Sequence, residues 1–137
     1  MIGVVIITHG NLAHEMFETV KLIMGEQAAA TTVCFTARES IDTLRERAIK
    51  AVDEFRKGGC LILTDVLGGS ATNVCAEFIK SDEVRVITGV NLPMVMEALQ
   101  HRDSISLEAL SKKVRDGAAR GIIDLKEFFA ERAKKKT

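Results

Sequence analysis

The sequence predicts an open, mostly parallel α/β sheet, and three observations carry that prediction. Short β-branched runs alternate with longer helical patterns along the whole chain. Two of those runs are almost wholly apolar, as strands covered on both faces must be. No linker, internal repeat or low-complexity stretch breaks the alternation. A strand–helix–strand–helix order joins parallel neighbours through crossover helices, so the expected fold has four parallel strands in a flavodoxin-like order, helices on both faces and a short C-terminal edge strand.

The elements follow in order. Ile2–Thr8 (IGVVIIT) reads as the first strand and Leu12–Met24 as the first helix. Thr31–Phe35 is the second strand. In Ile41–Arg56, Ile41, Leu44, Ala48, Val52 and Phe55 recur at three and four, the spacing of one helix face. Ser40 is placed to cap that helix, and Gly58-Gly59 closes it. Cys60–Thr64 (CLILT) is the third strand, Thr72–Lys80 the third helix and Val84–Thr88 the fourth strand. A fourth helix begins near Pro93, the only proline, a residue suited to a first helical turn, with Asn91 as its cap. Ser106 caps a fifth helix through Leu107, Leu110, Val114 and Ala118, and Gly121 ends it. The run Gly121–Leu125 (GIIDL) reads as the edge strand, and Lys126–Lys136 as a frayed charged helix. Residues 1–137 make one domain, with a core of about 1–125 and a charged tail at 126–137.

Composition narrows the function. A chain of 137 residues is too short for two ordinary domains, and with 47% hydrophobic residues it can build a core. Lys plus Arg equals Asp plus Glu at 19 each, which argues against a nucleic-acid binder. The one basic run, Lys134-Lys135-Lys136, reads as a solvated tail. Cys34, Cys60 and Cys75 lack metal or disulfide spacing and sit in apolar stretches, so they read as reduced core thiols. The N-terminus lacks the basic flank and cleavage site of a signal peptide. No apolar run approaches the roughly 18–20 residues that cross a bilayer. A cytoplasmic location with no direct membrane insertion is the expectation.

In open parallel sheets, ligands bind beyond the carboxyl ends of the strands, where the strand order reverses. After the first strand stands Thr8-His9-Gly10, after the third Asp65-Val66-Leu67-Gly68-Gly69-Ser70, after the fourth Gly89-Val90-Asn91. With strands one and three adjacent, His9 and Asp65 face each other across that crevice. A neutral imidazole has one bare nitrogen able to attack phosphorus, and a carboxylate on the other nitrogen fixes the tautomer. Gly68, Gly69 and Ser70, leading into a helix, suit a phosphate cradle of backbone amides and a hydroxyl. No metal and no cofactor is called for. Each part has a plainer reading: a lone histidine at a strand end is more often a polar loop residue, and Gly68-Gly69 also suits an ordinary turn. His14 and His101 read as ordinary helix residues.

Together these residues resemble the mannose-family IIA domain of the phosphoenolpyruvate-dependent sugar phosphotransferase system. The matching stretches are Ile6-Ile7-Thr8-His9-Gly10, Gly25-Glu26-Gln27, Asp65-Val66-Leu67-Gly68-Gly69-Ser70 with Asn73, and Gly89-Val90-Asn91-Leu92-Pro93-Met94. The resemblance implies that His9 is phosphorylated on Nε2, with Asp65 on the other ring nitrogen and Gly68, Gly69 and Ser70 holding the phosphoryl group. It implies phospho-HPr as donor, a separate IIB protein as acceptor, and a homodimer that exchanges the strand at Gly121–Leu125. Many members carry Trp where this chain has Leu67 and Pro where it has Ala71. Both positions are expected at the rim.

Other readings use the same residues. The phosphotransferase subunit of a dihydroxyacetone kinase resembles this fold and uses the same histidine chemistry. A receiver domain phosphorylated on Asp65 needs an acidic pair after strand one, where this chain has Thr8-His9-Gly10. A Ser70–His9–Asp65 hydrolase lacks the G-x-S-x-G elbow.

Overall fold

The structure, a computed structural model, describes residues 1–135; Lys136 and Thr137, the end of the basic tail, lie outside the described residues. Strand β1 (Gly3–His9) leads to helix α1 (Leu12–Met24), β2 (Ala30–Phe35), α2 (Ile41–Phe55), β3 (Cys60–Thr64), α3 (Ser70–Cys75), β4 (Val84–Ile87), α4 (Leu92–His101), α5 (Leu107–Arg120) and α6 (Leu125–Lys135). Short 3₁₀ turns follow α2 at Arg56–Gly58 and α3 at Ala76–Phe78.

All strand pairs are parallel, in the order β2-β1-β3-β4. The chain moves outward from β1 to β2, then crosses to β3 on the other side of β1. The reversal therefore falls between β1 and β3, as the sequence predicts. Every residue of β3 is buried, which explains why CLILT carries no polar alternation. Leu61 and Leu63 join Val4, Ile6, Val20, Val95 and Leu110 in one core layer with α1, α4 and α5. Val5, Ile7 and Ile62 face the other way, onto Leu44, Ala48 and Val52 of α2 and Ala71 and Val74 of α3. Burying side chains of this size stabilises by about 1.5–3 kcal/mol each, which holds the strand ends rigidly in register.

The predicted caps form. Ser40 accepts from Thr43 N at 3.1 Å, Asn91 from Met94 N at 2.9 Å and Ser106 from Ala109 N at 3.1 Å. Such bonds satisfy amides that the helices themselves leave open. The third helix differs from expectation: it starts at Ser70, two residues early, with Gly69 as the extended cap residue. Asn73 N reaches back to Gly69 O at 3.0 Å, which draws Ser70 into the first turn.

The expected C-terminal edge strand is not formed within the chain. Gly121 caps α5, and Leu125 already belongs to α6. Asp124 is the local cause: its Oδ1 accepts from Lys126 N at 2.9 Å and Glu127 N at 3.3 Å, a helix-start arrangement. Among the described residues α6 buries no side chain, and Ile122, Ile123, Leu125 and Phe129 are exposed.

Candidate active site

His9 is the last residue of β1, and Asp65 directly follows β3. The topological reversal brings the two together. Asp65 Oδ2 accepts from the His9 main-chain N–H at 3.0 Å and meets His9 Nδ1 at 2.8 Å, while Asp65 Oδ1 accepts from Val66 N at 2.9 Å. One carboxylate thus fixes both the backbone and the ring of the histidine. Burial pushes the Asp65 carboxyl up, but the two His9 donors and the Val66 amide together outweigh it and hold the pKa below its ordinary value. Asp65 is therefore ionised at neutral pH and can only accept. Nδ1 must carry the proton, and Nε2 is left with a bare lone pair. The His9 side chain remains 42% exposed against 13% for Asp65, so the imidazole is reachable from solvent while its carboxylate partner is covered.

Three neighbours complete the setting. Phe35, at the end of β2 in register with His9, packs edge-on against the imidazole at 6.1 Å between ring centres. Gly69 also lies close against the ring: a Cβ built there would sit 2.6 Å from His9 Cε1 and 3.2 Å from Nε2. Gly68 takes the turn at φ +85°, a conformation glycine adopts without penalty. The loop after β1 is secured from within, as the buried Thr8 Oγ1 accepts from Ala13 N at 2.7 Å. Behind the site, Gly89 N donates to Asp65 O at 2.7 Å and Val90 N to Thr64 O at 3.0 Å. The Gly89-Val90-Asn91 stretch is thus a brace for Asp65.

Two sequence expectations shift in detail. The Gly68 N–H is already engaged, donating to Thr72 Oγ1 at 3.0 Å, and the Gly69 N–H leans on Val66 O at 3.4 Å. The amides that the α3 ladder leaves without a helical partner are those of its first turn, beginning with Ser70, since the ladder starts only at Asn73. Leu67 does lie at the rim, 85% exposed, but Ala71 does not: it is fully buried between α2 and the sheet. The early helix start places it on the inward face of α3. His14 is exposed on α1, and His101 pairs with Glu97 at 3.0 Å, so neither joins the site.

Residues 3–115 match the family model described as "PTS system fructose IIA component", EIIA-man. The chain belongs to the mannose/fructose IIA family of the sugar phosphotransferase system. It is 34% identical over 119 residues to the PTS system fructose-specific EIIA component of Bacillus subtilis (strain 168), covering 84% of this chain and 80% of that protein. It is 35% identical over 106 residues to the mannose-specific EIIAB component of Escherichia coli (strain K12), covering 74% of this chain but 32% of that longer protein. The fold matches the crystal structure of phosphotransferase system component EIIA from Streptococcus agalactiae at TM-score 0.86 and 31% identity, covering 93% of this chain and 99% of the other. The IIA protein associated with the fucose utilization operon of Streptococcus pneumoniae matches at TM-score 0.81 and 27% identity, over 93% and 96%. The chain is accordingly a IIA component, a phosphotransferase of the sugar phosphotransferase system. A receiver-domain role for Asp65 gives way to this family and to the carboxylate's engagement with His9.

Proposed function

We propose that this IIA component carries a phosphoryl group on His9 Nε2, taking it from phospho-HPr and handing it to a IIB protein. The observation that carries the reading is the 2.8 Å contact between Asp65 Oδ2 and His9 Nδ1, which leaves Nε2 as the free base. The Nε2 lone pair attacks the phosphorus of the donor's phosphohistidine, and the donor's N–P bond breaks with its electron pair returning to the donor ring. The proton on His9 Nδ1 stays in place. Asp65 then faces an imidazolium-like ring whose positive charge it stabilises. Around Nε2, the Gly68-Gly69 turn forms a wall, and the Ser70 hydroxyl and the first amides of α3 offer donors to the phosphoryl oxygens. Exposed Leu12, Val66 and Leu67 supply an apolar rim on which donor and acceptor proteins can dock in turn.

Asp65→Asn tests the carrier reading. An amide can still meet Nδ1, but the charge-assisted bond is lost, a change worth ~1.5–3 kcal/mol. If it is fully felt at the transition state, transfer slows about ten- to a hundredfold. Rapid-quench transfer at the wild-type rate would show that the carboxylate does not serve the reaction. Acid gives the same result by another route. Because the folded pKa of Asp65 is lowered, its stabilisation is complete above the ordinary carboxylate range and is lost as pH falls through the lowered value.

A homodimer built through the C-terminal segment is part of this proposal. Among the described residues the outer edge of β4 has no strand beside it, and a groove of about 580 Å³ there is lined by Ile79, Val84, Val86 and Leu107 together with the polar Ser81, Asp82, Arg85 and Glu108. Exposed Ile122, Ile123 and Leu125 supply apolar side chains for such an edge, and the segment becomes a strand only on a second copy. Deleting residues 121–137 should give monomers or aggregates by light scattering; a full-length chain that is monomeric at micromolar concentration contradicts the dimer. Cytoplasmic placement goes with the reading: Cys34, Cys60 and Cys75 are free thiols, and burial pushes Cys60 and Cys75 up to about 12, as inert reduced core residues. Among the described residues no helix is long and apolar enough to cross a membrane. The relatives are named for fructose, mannose and sorbose, and a sugar of this class is the proposed cargo of the system.

A further inference from the structure

The Thr72 hydroxyl is bonded to neither His9 nor Asp65 but to the wall beside the imidazole. Its Oγ1 accepts from Gly68 N at 3.0 Å and donates to Gly69 O at 3.0 Å. A hydroxyl has one proton, and here that proton goes to Gly69 O while a lone pair takes the Gly68 amide. The two bonded groups belong to the peptide planes on either side of the Gly68-Gly69 pair. One side chain therefore pins the turn from both ends. The turn needs pinning, because glycine is the least restrained of residues and Gly68 sits at φ +85°. Thr72 is 8% exposed, so water does not readily replace its bonds. Between the pinned planes lies the Gly69 Cα, close enough to the ring that even a methyl group would collide with Cε1.

We infer that Thr72 is a positioning residue for phosphoryl transfer, its hydroxyl fixing the Gly68-Gly69 wall against the His9 ring and so aiming Nε2. The inference rests on the reading of His9 as the phosphorylated residue. Asp65 sets which nitrogen is bare; the wall held by Thr72 sets where that nitrogen points. The two controls are separable. Loss of the Thr72 hydroxyl leaves the Nδ1–H tautomer intact and frees the ring to rock about its Asp65 bond, which lowers the fraction in attack geometry. Donor docking on the apolar rim is untouched by this change.

Thr72→Val keeps the shape and removes both bonds, while Thr72→Ser keeps the hydroxyl. With phospho-HPr as donor, Thr72→Val should lower kcat about tenfold with little change in KM, and Thr72→Ser should stay within about twofold of wild type. A purely structural role would lower the melting temperature without that split in the kinetics. Two measurements on the unphosphorylated protein stand independently of activity. In the wild type the Gly68 amide should exchange slowly despite its place in a turn, and the Hε1 proton of His9 should show a cross-peak to Gly69 Hα. That cross-peak should survive in Thr72→Ser and vanish in Thr72→Val, with the ring tautomer unchanged in both. An unprotected Gly68 amide, or wild-type kcat in Thr72→Val, overturns the inference. If Thr72→Val does not fold, the wild-type exchange rate and the Thr72→Ser cross-peak decide it. A wild-type chain that takes no phosphoryl group on His9 would defeat the functional reading, and the amide and cross-peak measurements would still decide the placement of the wall.

Discussion

His9→Ala is expected to abolish phosphorylation. Incubated with phosphoenolpyruvate, enzyme I and HPr, the wild type should take one phosphoryl group per chain, and the variant none. Among the three histidines only His9 combines an exposed ring with a carboxylate on Nδ1. His14 lies on the outer face of α1 without such a partner, and His101 is paired through its Nε2 to Glu97. The loss should be complete, because the substitution removes the atom that forms the covalent bond rather than one that assists it. The fold should survive. The His9 side chain is half-exposed, and Asp65 keeps the main-chain donors of His9 and Val66, so the cost is about 1–3 kcal/mol. Circular dichroism and thermal melting check that point. The wild-type label has a second signature: an imidazole N–P bond survives strong base and breaks in warm acid, since protonation makes the ring a good leaving group. An aspartyl phosphate, a mixed anhydride, behaves in the opposite way. A base-labile label, or undiminished labelling of His9→Ala, would place the phosphoryl group on another residue.

Much of this site was legible in the sequence because it depends on backbone topology. Short β-branched runs of five to seven residues separated by amphipathic helices leave few arrangements besides a parallel sheet, and the sheet order places the ends of β1 and β3 side by side. The meeting of His9 and Asp65 follows from that order. Phe35 was within reach too, since parallel pairing carries the end of β2 to the level of His9. Thr72 was not. Its role depends on one hydroxyl meeting two groups three and four residues away in a turn whose φ angles the sequence does not state. Arg102 is a similar case in the scaffold. A charged residue just past the end of α4, it is buried and donates to the carbonyls of Ala28 and Ala29 beside the start of β2, which no sequence pattern announces. The C-terminal run shows the opposite limit. GIIDL has strand-forming residues, but a strand exists only where an edge accepts it, and within one chain the Asp124 cap takes Leu125 into a helix instead.

Gly69→Ala should all but stop transfer while leaving the fold in place. Gly69 adopts φ −78° and ψ 169°, an extended conformation open to any residue, so its backbone gives no reason for glycine. Space gives the reason. The added methyl would stand 2.6 Å from His9 Cε1, 3.2 Å from Nε2 and 3.4 Å from Val66 Cγ2. Contacts near 2.6 Å do not persist, and either the ring or the loop must move by most of an ångström. The ring is tied at Nδ1 to Asp65, itself braced by Gly89, so a displaced ring swings Nε2 out of line. If the loop moves instead, the bonds from Thr72 stretch and the donors around Ser70 withdraw. Misplacement by about 1 Å costs on the order of a hundredfold in rate, and the methyl also occupies space beside the attacking nitrogen. A drop of a hundredfold or more in kcat is therefore expected, with near-native circular dichroism. Gly68→Ala supplies the control. No atom lies within 4 Å of a Cβ there, but φ is +85°, so the cost is backbone strain of about 1–2 kcal/mol. That variant should melt several degrees lower and still transfer at a substantial rate. Equal transfer rates in the two alanine variants would mean that contact between Gly69 and the imidazole does not govern the reaction.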